Sequence, residues 1–120
     1  MPDSIQNLMK SIDRFADERN WEQFHSPKNL AMALIVEAGE LVEHFQWLDQ
    51  TQSRKLDPKK RHDVSLEMAD VLIYLVRMAN RLDIDLLAAA NEKIMLNGKK
   101  YPVQTAAGRA DKHTTCGTDP

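Results

Sequence analysis

The chain has 120 residues, enough for one small domain or one subunit of an oligomer and too few for two full domains. Its formal net charge is -2, and no stretch concentrates Lys and Arg as neutralising a phosphate backbone requires, so a nucleic-acid polymer is excluded as the dedicated partner. Gly and Pro are scarce while Leu, Ala, Met, Glu and Lys are plentiful, which is the composition of helices.

The first helix is predicted from DSIQ, where Asp3 or Ser4 can accept the free N–H groups of the first turn. Ile5, Leu8, Met9, Ile12 and Phe15 follow at helical spacing, and the pattern fades near Asn20. The second opens at SPKN, with Ser26 as cap and Pro27 at the first helical position; Leu30, Leu34, Leu41, Phe45 and Leu48 mark one face. DQTQSRKL reads as a polar connector. DPKK repeats the start signal with Asp57 and Pro58, and the third helix runs to about Leu82. Its part after Val64 is apolar almost all round, the pattern of a central helix. A fourth begins near Asp85 and carries LLAAANEKIML towards Gly98.

Beyond Tyr101 and Pro102 the periodicity and apolar content fall away, so residues 1–103 are expected to form the domain and 104–120 a flexible tail. Nothing reads as a strand pair, and the predicted fold is an all-α, four-helix-bundle-like domain. The one cysteine, Cys116, has no internal disulfide partner, and MPDSIQNLMK lacks an apolar signal core. No apolar run is long enough to span a membrane, so a cytoplasmic protein with no membrane partner is expected.

The stretch EAGELVEHFQW puts Glu37 and Glu40 where the apolar pattern of Leu30 to Val36 should continue. A carboxylate in an apolar stripe costs free energy unless something neutralises it. Residues three apart on a helix point about 60° from each other, so these two share a face. Glu67 and Asp70 repeat the spacing on the third helix, within a narrow stripe of Asp63, Glu67, Asp70, Tyr74 and Arg77. Four carboxylates facing one another repel and shift their pKa values upward. A hard divalent cation removes that conflict, and an all-oxygen donor set points to Mg²⁺, with Mn²⁺ as a substitute.

Two readings compete with a metal site: a solvated acidic face, and a non-catalytic helical oligomerisation module whose acids pair with Arg77 or Lys93. A di-iron carboxylate bundle needs Glu-x-x-His on its helices. His44 directly follows Glu43 and sits four after Glu40, so the acid pairs do not form that motif.

EAGELVEHFQW followed by EMADVLIYL resembles the MazG-like all-α nucleotide pyrophosphohydrolases. NWEQFHSPKNL and NGKKYP are most similar to their dCTP pyrophosphatase branch, and the likeness spans roughly Leu8 to Val103. The resemblance implies Mg²⁺-dependent hydrolysis of a nucleoside triphosphate to the monophosphate and pyrophosphate, clearing unwanted nucleotides from the pool. The substrate it implies is dCTP or a modified dCTP, with dUTP or another non-standard nucleotide as the alternative. It implies that Glu37, Glu40, Glu67 and Asp70 bind the metal that holds the triphosphate. Such a site has more carboxylates than one hydrated Mg²⁺ needs, so Glu37 or Glu40 is also the candidate to position or deprotonate the attacking water.

The same likeness places the base pocket at Trp21, Glu22, Gln23, Phe24 and His25, at Trp47 and at Tyr74. The aromatics supply flat walls, and His25 supplies polarity. It assigns Lys93 and Asn97, with Lys100, to the phosphates. On residue pattern alone Trp47 reads as core, His25 as a loop or helix-start residue, and the lysines as cations favoured at a helix C-terminus. Ile12 stands where the branch carries a histidine within reach of the base, which leaves the choice of base open. Members of the family associate, commonly as tetramers of paired dimers, and the apolar run DVLIYLVRMA is consistent with a homo-oligomer, tetramer or dimer.

Overall fold

The computed structural model describes residues 4–108, among which there is no strand. The elements are α1 (Ile5–Glu18), a single 3-10 turn (Glu22–Phe24), α2 (Pro27–Glu43), α3 (Gln50–Arg54), α4 (Pro58–Arg81), α5 (Leu86–Lys100) and α6 (Val103–Ala106). The fold class is all-α, as the composition indicates.

The helix starts follow the capping residues. The side chains of Ser4, Ser26, Asp57 and Asp85 accept from the backbone N–H groups of Asn7, Asn29, Lys60 and Ala88. Pro27 and Pro58 each occupy the first turn, where a missing N–H costs nothing. The other cap considered, Asp3, lies outside the described residues, and so does Cys116.

Three boundaries differ from the sequence reading. α2 stops at Glu43, and His44 to Trp47 form a turn whose Phe45 N–H bonds the Val42 carbonyl at 2.9 Å. The reason lies just downstream, where Asp49 and Gln52 close a capping box at 2.7 and 2.9 Å. That box needs Asp49 extended, so a continuous helix through Leu48 is interrupted and the polar connector becomes α3. The expected tail, in turn, opens with α6 before it passes beyond the described residues.

A division of the chain falls between Ile84 and Asp85. The unit before it holds α1 to α4, with α4 as its spine: α2 and α1 both pack along α4. Ala16, Leu30, Val64, Val76 and Ala79 are its buried apolar residues. The unit after it holds α5 and α6. The near-uniform apolarity of α4 is only half used within the chain, because Leu66, Met68, Leu72, Ile73 and Leu75 are exposed.

α1 and α4 end alike. Asn20 (φ 56°) and Asp83 (φ 55°) take the left-handed conformation, and the next N–H reaches back to the carbonyl five residues earlier. These bonds are Trp21 to Ala16 at 3.0 Å and Ile84 to Ala79 at 2.8 Å, the Schellman closure. The first of them fixes where Trp21 leaves the helix. Asn20→Val should therefore lower the unfolding free energy by about 1–2 kcal/mol, since a β-branched residue resists this conformation. Urea unfolding should show that loss, and little or none for Asn20→Gly.

Candidate active site

The pairing of α2 with α4 brings the two acid pairs together. One carboxylate oxygen each from Glu37, Glu67 and Asp70 lies within 4.8 Å of the others, and the Glu40 carboxylate is close to Glu37. The charges are crowded and partly desolvated. Glu37 is pushed up from 4.5 to about 7 by burial, by the Glu40 carboxylate beside it, and by the charges of Asp70 and Glu67. Glu67 is raised for the same reasons, burial first and then the charges of Glu40 and Asp70.

Two buried oxygens, Glu37 Oε2 and Glu67 Oε2, have no hydrogen-bond partner. Buried acceptors left unmade are costly, and a cation is the partner that suits two such oxygens on repelling carboxylates. The residues present therefore fit a divalent metal with oxygen ligands. Asp63, at the head of the stripe, is instead paired with Lys59 at 3.1 Å, and this holds its carboxyl below the usual range.

Glu37 and Asp70 also line a cavity of about 390 Å³. Its walls carry Trp21, Tyr74, Phe15 and His25, and Leu8, Ile12 and Ile73 make it largely apolar. Phe15 and Trp21 meet edge to face with centroids 5.7 Å apart, and Trp21 and His25 do so at 6.3 Å. An acidic end that could hold a metal, joined to an aromatic apolar body, is a shape for a small ligand that carries phosphates at one end and a flat ring at the other.

The Trp21 to His25 link is fastened to α4 by successive arginines. Arg81 donates to the Glu22 carboxylate at 2.6 Å and to the His25 carbonyl at 3.2 Å. Arg77 Nε donates to His25 Nδ1 at 3.1 Å, and its Nη1 donates to Asp13 of α1 at 2.6 Å. Asn80 donates to both oxygens of Asp13, at 2.8 and 3.0 Å. His25 is accordingly held neutral: burial, then the charges of Arg77 and Arg81, lower its pKa.

The sequence-predicted residues separate as follows. Glu37, Glu67 and Asp70 come together, Glu40 stands outside that triad but near enough for its charge to act on Glu37 and Glu67, and Trp21, His25 and Tyr74 share the cavity with Glu37 and Asp70. Gln23 turns back to the Asn20 carbonyl at 3.0 Å, Phe24 is exposed, and Glu22 is taken by Arg81, so none of these three lines the cavity. Trp47 is 87 % exposed on the turn after α2 and stands outside the cavity lining, neither core nor pocket wall within this chain. Lys93, Asn97 and Lys100 lie along α5, in the second unit, at exposed positions.

The Glu-x-x-His that the chain does contain, Glu22 to His25, sits on this link rather than on an acid-bearing helix, and both side chains bond to arginines. Arg77 pairs with Asp13, where an inert module would have paired it with the acid cluster. Asp13, Asn80 and Arg81 had no place in the sequence reading. Asp13 carried a legible signal, since it lies one turn after Met9 on the apolar face of α1.

An all-α unit with an acid cluster on two paired helices and an adjoining aromatic cavity matches one known class. The chain belongs to the MazG-like family, whose pattern matches residues 32–114. The dCTP pyrophosphatase 1 of Mus musculus is 42% identical over 113 residues, covering 92% of this chain and 66% of that protein. The Homo sapiens protein of the same name is 39% identical over the same shares. The chain thus spans about two thirds of the length of these curated relatives. A crystal structure of a pyrophosphatase from Archaeoglobus fulgidus matches with a TM-score of 0.77 at 34% identity, over 82% of this chain and 92% of that one.

The raised carboxyl of Glu37 has a consequence for stability. Between 4.5 and about 7 the folded chain binds a proton that the unfolded chain has released, so stability falls as pH rises through that window. Without divalent metal, denaturation midpoints should decline from about pH 5 to about pH 8, and Glu37→Gln should flatten much of that decline. His25, whose pKa is lowered, acts in the opposite sense in both chains, so a pH dependence that Glu37→Gln leaves unchanged would contradict the buried acid cluster.

Proposed function

We propose that the chain is a Mg²⁺-dependent nucleoside triphosphate pyrophosphohydrolase, acting on dCTP or a 5-substituted dCTP to give the monophosphate and pyrophosphate. We assign the activity to residues 1–103, with a housecleaning role in the cytoplasmic nucleotide pool. The observation that carries the reading is the continuity of the acid cluster with the aromatic cavity through Glu37 and Asp70. The names of the mouse, human and archaeal relatives support it. Among the described residues no helix is long and apolar enough to cross a membrane, which accords with a nucleotide-pool role.

Glu37, Glu40, Glu67 and Asp70 would hold the metal, which when bound supplies charge for the triphosphate and acidifies nearby water. The chain's own residues do the rest. Trp21 and Tyr74 stack on the base, the apolar cavity wall excludes bulk water, and Glu37 or Glu40 takes the proton of the attacking water. Lys93, Asn97 and Lys100 would offer phosphate contacts. The alternative substrate is dUTP or another non-standard nucleotide.

We also infer a homo-oligomer, a dimer or tetramer. Few apolar residues are fully buried in the chain, while Met32, Ile35, Val36 and Val42 on α2 and Leu66, Met68 and Leu75 on α4 face solvent. A second copy is the simplest cover for them. Sedimentation velocity at micromolar protein should read above the monomer mass, and a monomer would overturn the assembly.

A panel of nucleotides assayed for pyrophosphate release tests the activity itself. dCTP and its 5-substituted forms should rank first and chelation of Mg²⁺ should abolish release; a preference for dUTP or purines would overturn the base assignment. Glu40→Gln should lose turnover by about 100-fold or more while nucleotide binding changes little, the pattern of a lost general base. Equal loss of both would reassign Glu40 to metal holding alone.

A further inference from the structure

The link from Trp21 to His25 contributes two residues to the cavity wall, yet apolar packing does not hold it there. Trp21 to Phe24 are exposed and His25 is half-buried, so the link is held by hydrogen bonds instead. Gln23 Nε2 donates to the Asn20 carbonyl at 3.0 Å and Asn29 Nδ2 to the Phe24 carbonyl at 3.0 Å, both close by in the chain. Among the described residues, the side-chain hydrogen bonds that join the link to α4 come from Arg77 and Arg81, one helical turn apart. They grip one residue twice: Arg77 Nε donates to the His25 ring at 3.1 Å, and Arg81 Nε donates to the His25 carbonyl at 3.2 Å. Arg81 Nη1 also donates to the Glu22 carboxylate at 2.6 Å, at the first residue of the 3-10 turn.

The two arginines differ in what else they hold. Arg77 is buried and also bound to Asp13, so it takes part in packing α1 on α4. The Arg81 side chain is 32 % exposed and that of Glu22 60 %, and a pair so open to water adds little to stability. What Arg81 fixes is the place of the link, and with it a row of rings. Trp21 meets Phe15 and His25 edge to face, so the alignment of all three depends on where the link sits. A wall that is in place before its ligand arrives removes the ordering cost that a loose wall imposes on binding.

We propose that Arg81 is a positioning residue for nucleotide binding, its contacts to Glu22 and to the His25 carbonyl holding Trp21 and His25 where the base stacks. This rests on the nucleotide reading above. Arg81 itself stands outside the cavity lining, so it acts through the link.

The test follows dCMP formation from dCTP in the full chain and in Arg81→Gln, with inhibition by inorganic pyrophosphate as a readout that involves no base. Arg81→Gln should raise KM for dCTP by about 10-fold and change kcat by no more than about 3-fold, while pyrophosphate inhibition and the urea midpoint hold. Glu22→Gln, at the exposed partner, is the second variant should Arg81→Gln fail to fold. It should raise KM by about 3-fold, because the His25 carbonyl contact remains, and should add little to Arg81→Gln in the double variant, as two residues of one contact do. An unchanged KM in both variants, with turnover intact, would overturn this proposal alone. So would a rise in KM matched by an equal weakening of pyrophosphate inhibition or a fall in the urea midpoint, which would make Arg81 a structural or phosphate-end residue. A wild-type chain that releases pyrophosphate from no nucleotide would overturn the pyrophosphohydrolase reading, and this proposal with it.

Discussion

The structure turns on placing the carboxylates of α2 against those of α4. Nothing in apolar packing asks for this, since Glu37 and Glu67 each end with a buried oxygen that no protein group satisfies. Burial, and then the neighbouring carboxylates of Glu40, Asp70 and Glu67, push the Glu37 carboxyl up to about 7. The helices are held in this arrangement by Leu30 and by Val64 and Val76, whose burial offsets the electrostatic cost. Strain of this kind, localised at charged groups beside a cavity, is the signature of a site whose ligand completes the fold.

α4 then acts as a ruler. Glu67, Asp70, Tyr74, Arg77 and Arg81 follow at three- or four-residue steps, spanning about 21 Å along one helix. Charge changes sign along it: carboxylates first, an aromatic ring in the middle, arginines last. The two ends are not equivalent opposites. The acid end is uncompensated, whereas Arg77 is matched by Asp13 and Arg81 by Glu22. Net attraction for cations is therefore confined to the acid end, and the arginine end offers directional hydrogen bonds with little net charge. The same arginines anchor the link that carries Trp21 and His25, so one helix sets the spacing between the acid end and the aromatic wall.

The sequence made the acid cluster legible because charge in an apolar stripe has no cheap local explanation, and helical periodicity is enough to pair Glu37 with Glu40 and Glu67 with Asp70. Helix starts were legible for a similar reason: Ser26–Pro27 and Asp57–Pro58 are local chemistry. The end of α2 was not, because no residue between Glu43 and Asp49 breaks a helix and the capping box at Asp49 competes from downstream. Trp47 falls on the turn after α2 for the same reason, so its ring stands exposed and outside the cavity lining of this chain. The Asp13–Arg77–His25 network joins residues 52 and 64 positions apart, and no periodicity within one helix reveals such a partner. Only the isolated charge of Asp13 beside Met9 and Ile12 hinted at it.

Ile12 connects these threads. It lines the cavity at the position where the branch it resembles carries a histidine, so this chain has an apolar wall where that branch has a polar contact. On the α4 side Arg77 joins His25 to Asp13, which sits next to Ile12 on α1. The same turn of α1 thus contributes an apolar surface through one residue and the anchor of the remaining polar contacts through its neighbour. A change at either position alters the chemistry of the same cavity wall.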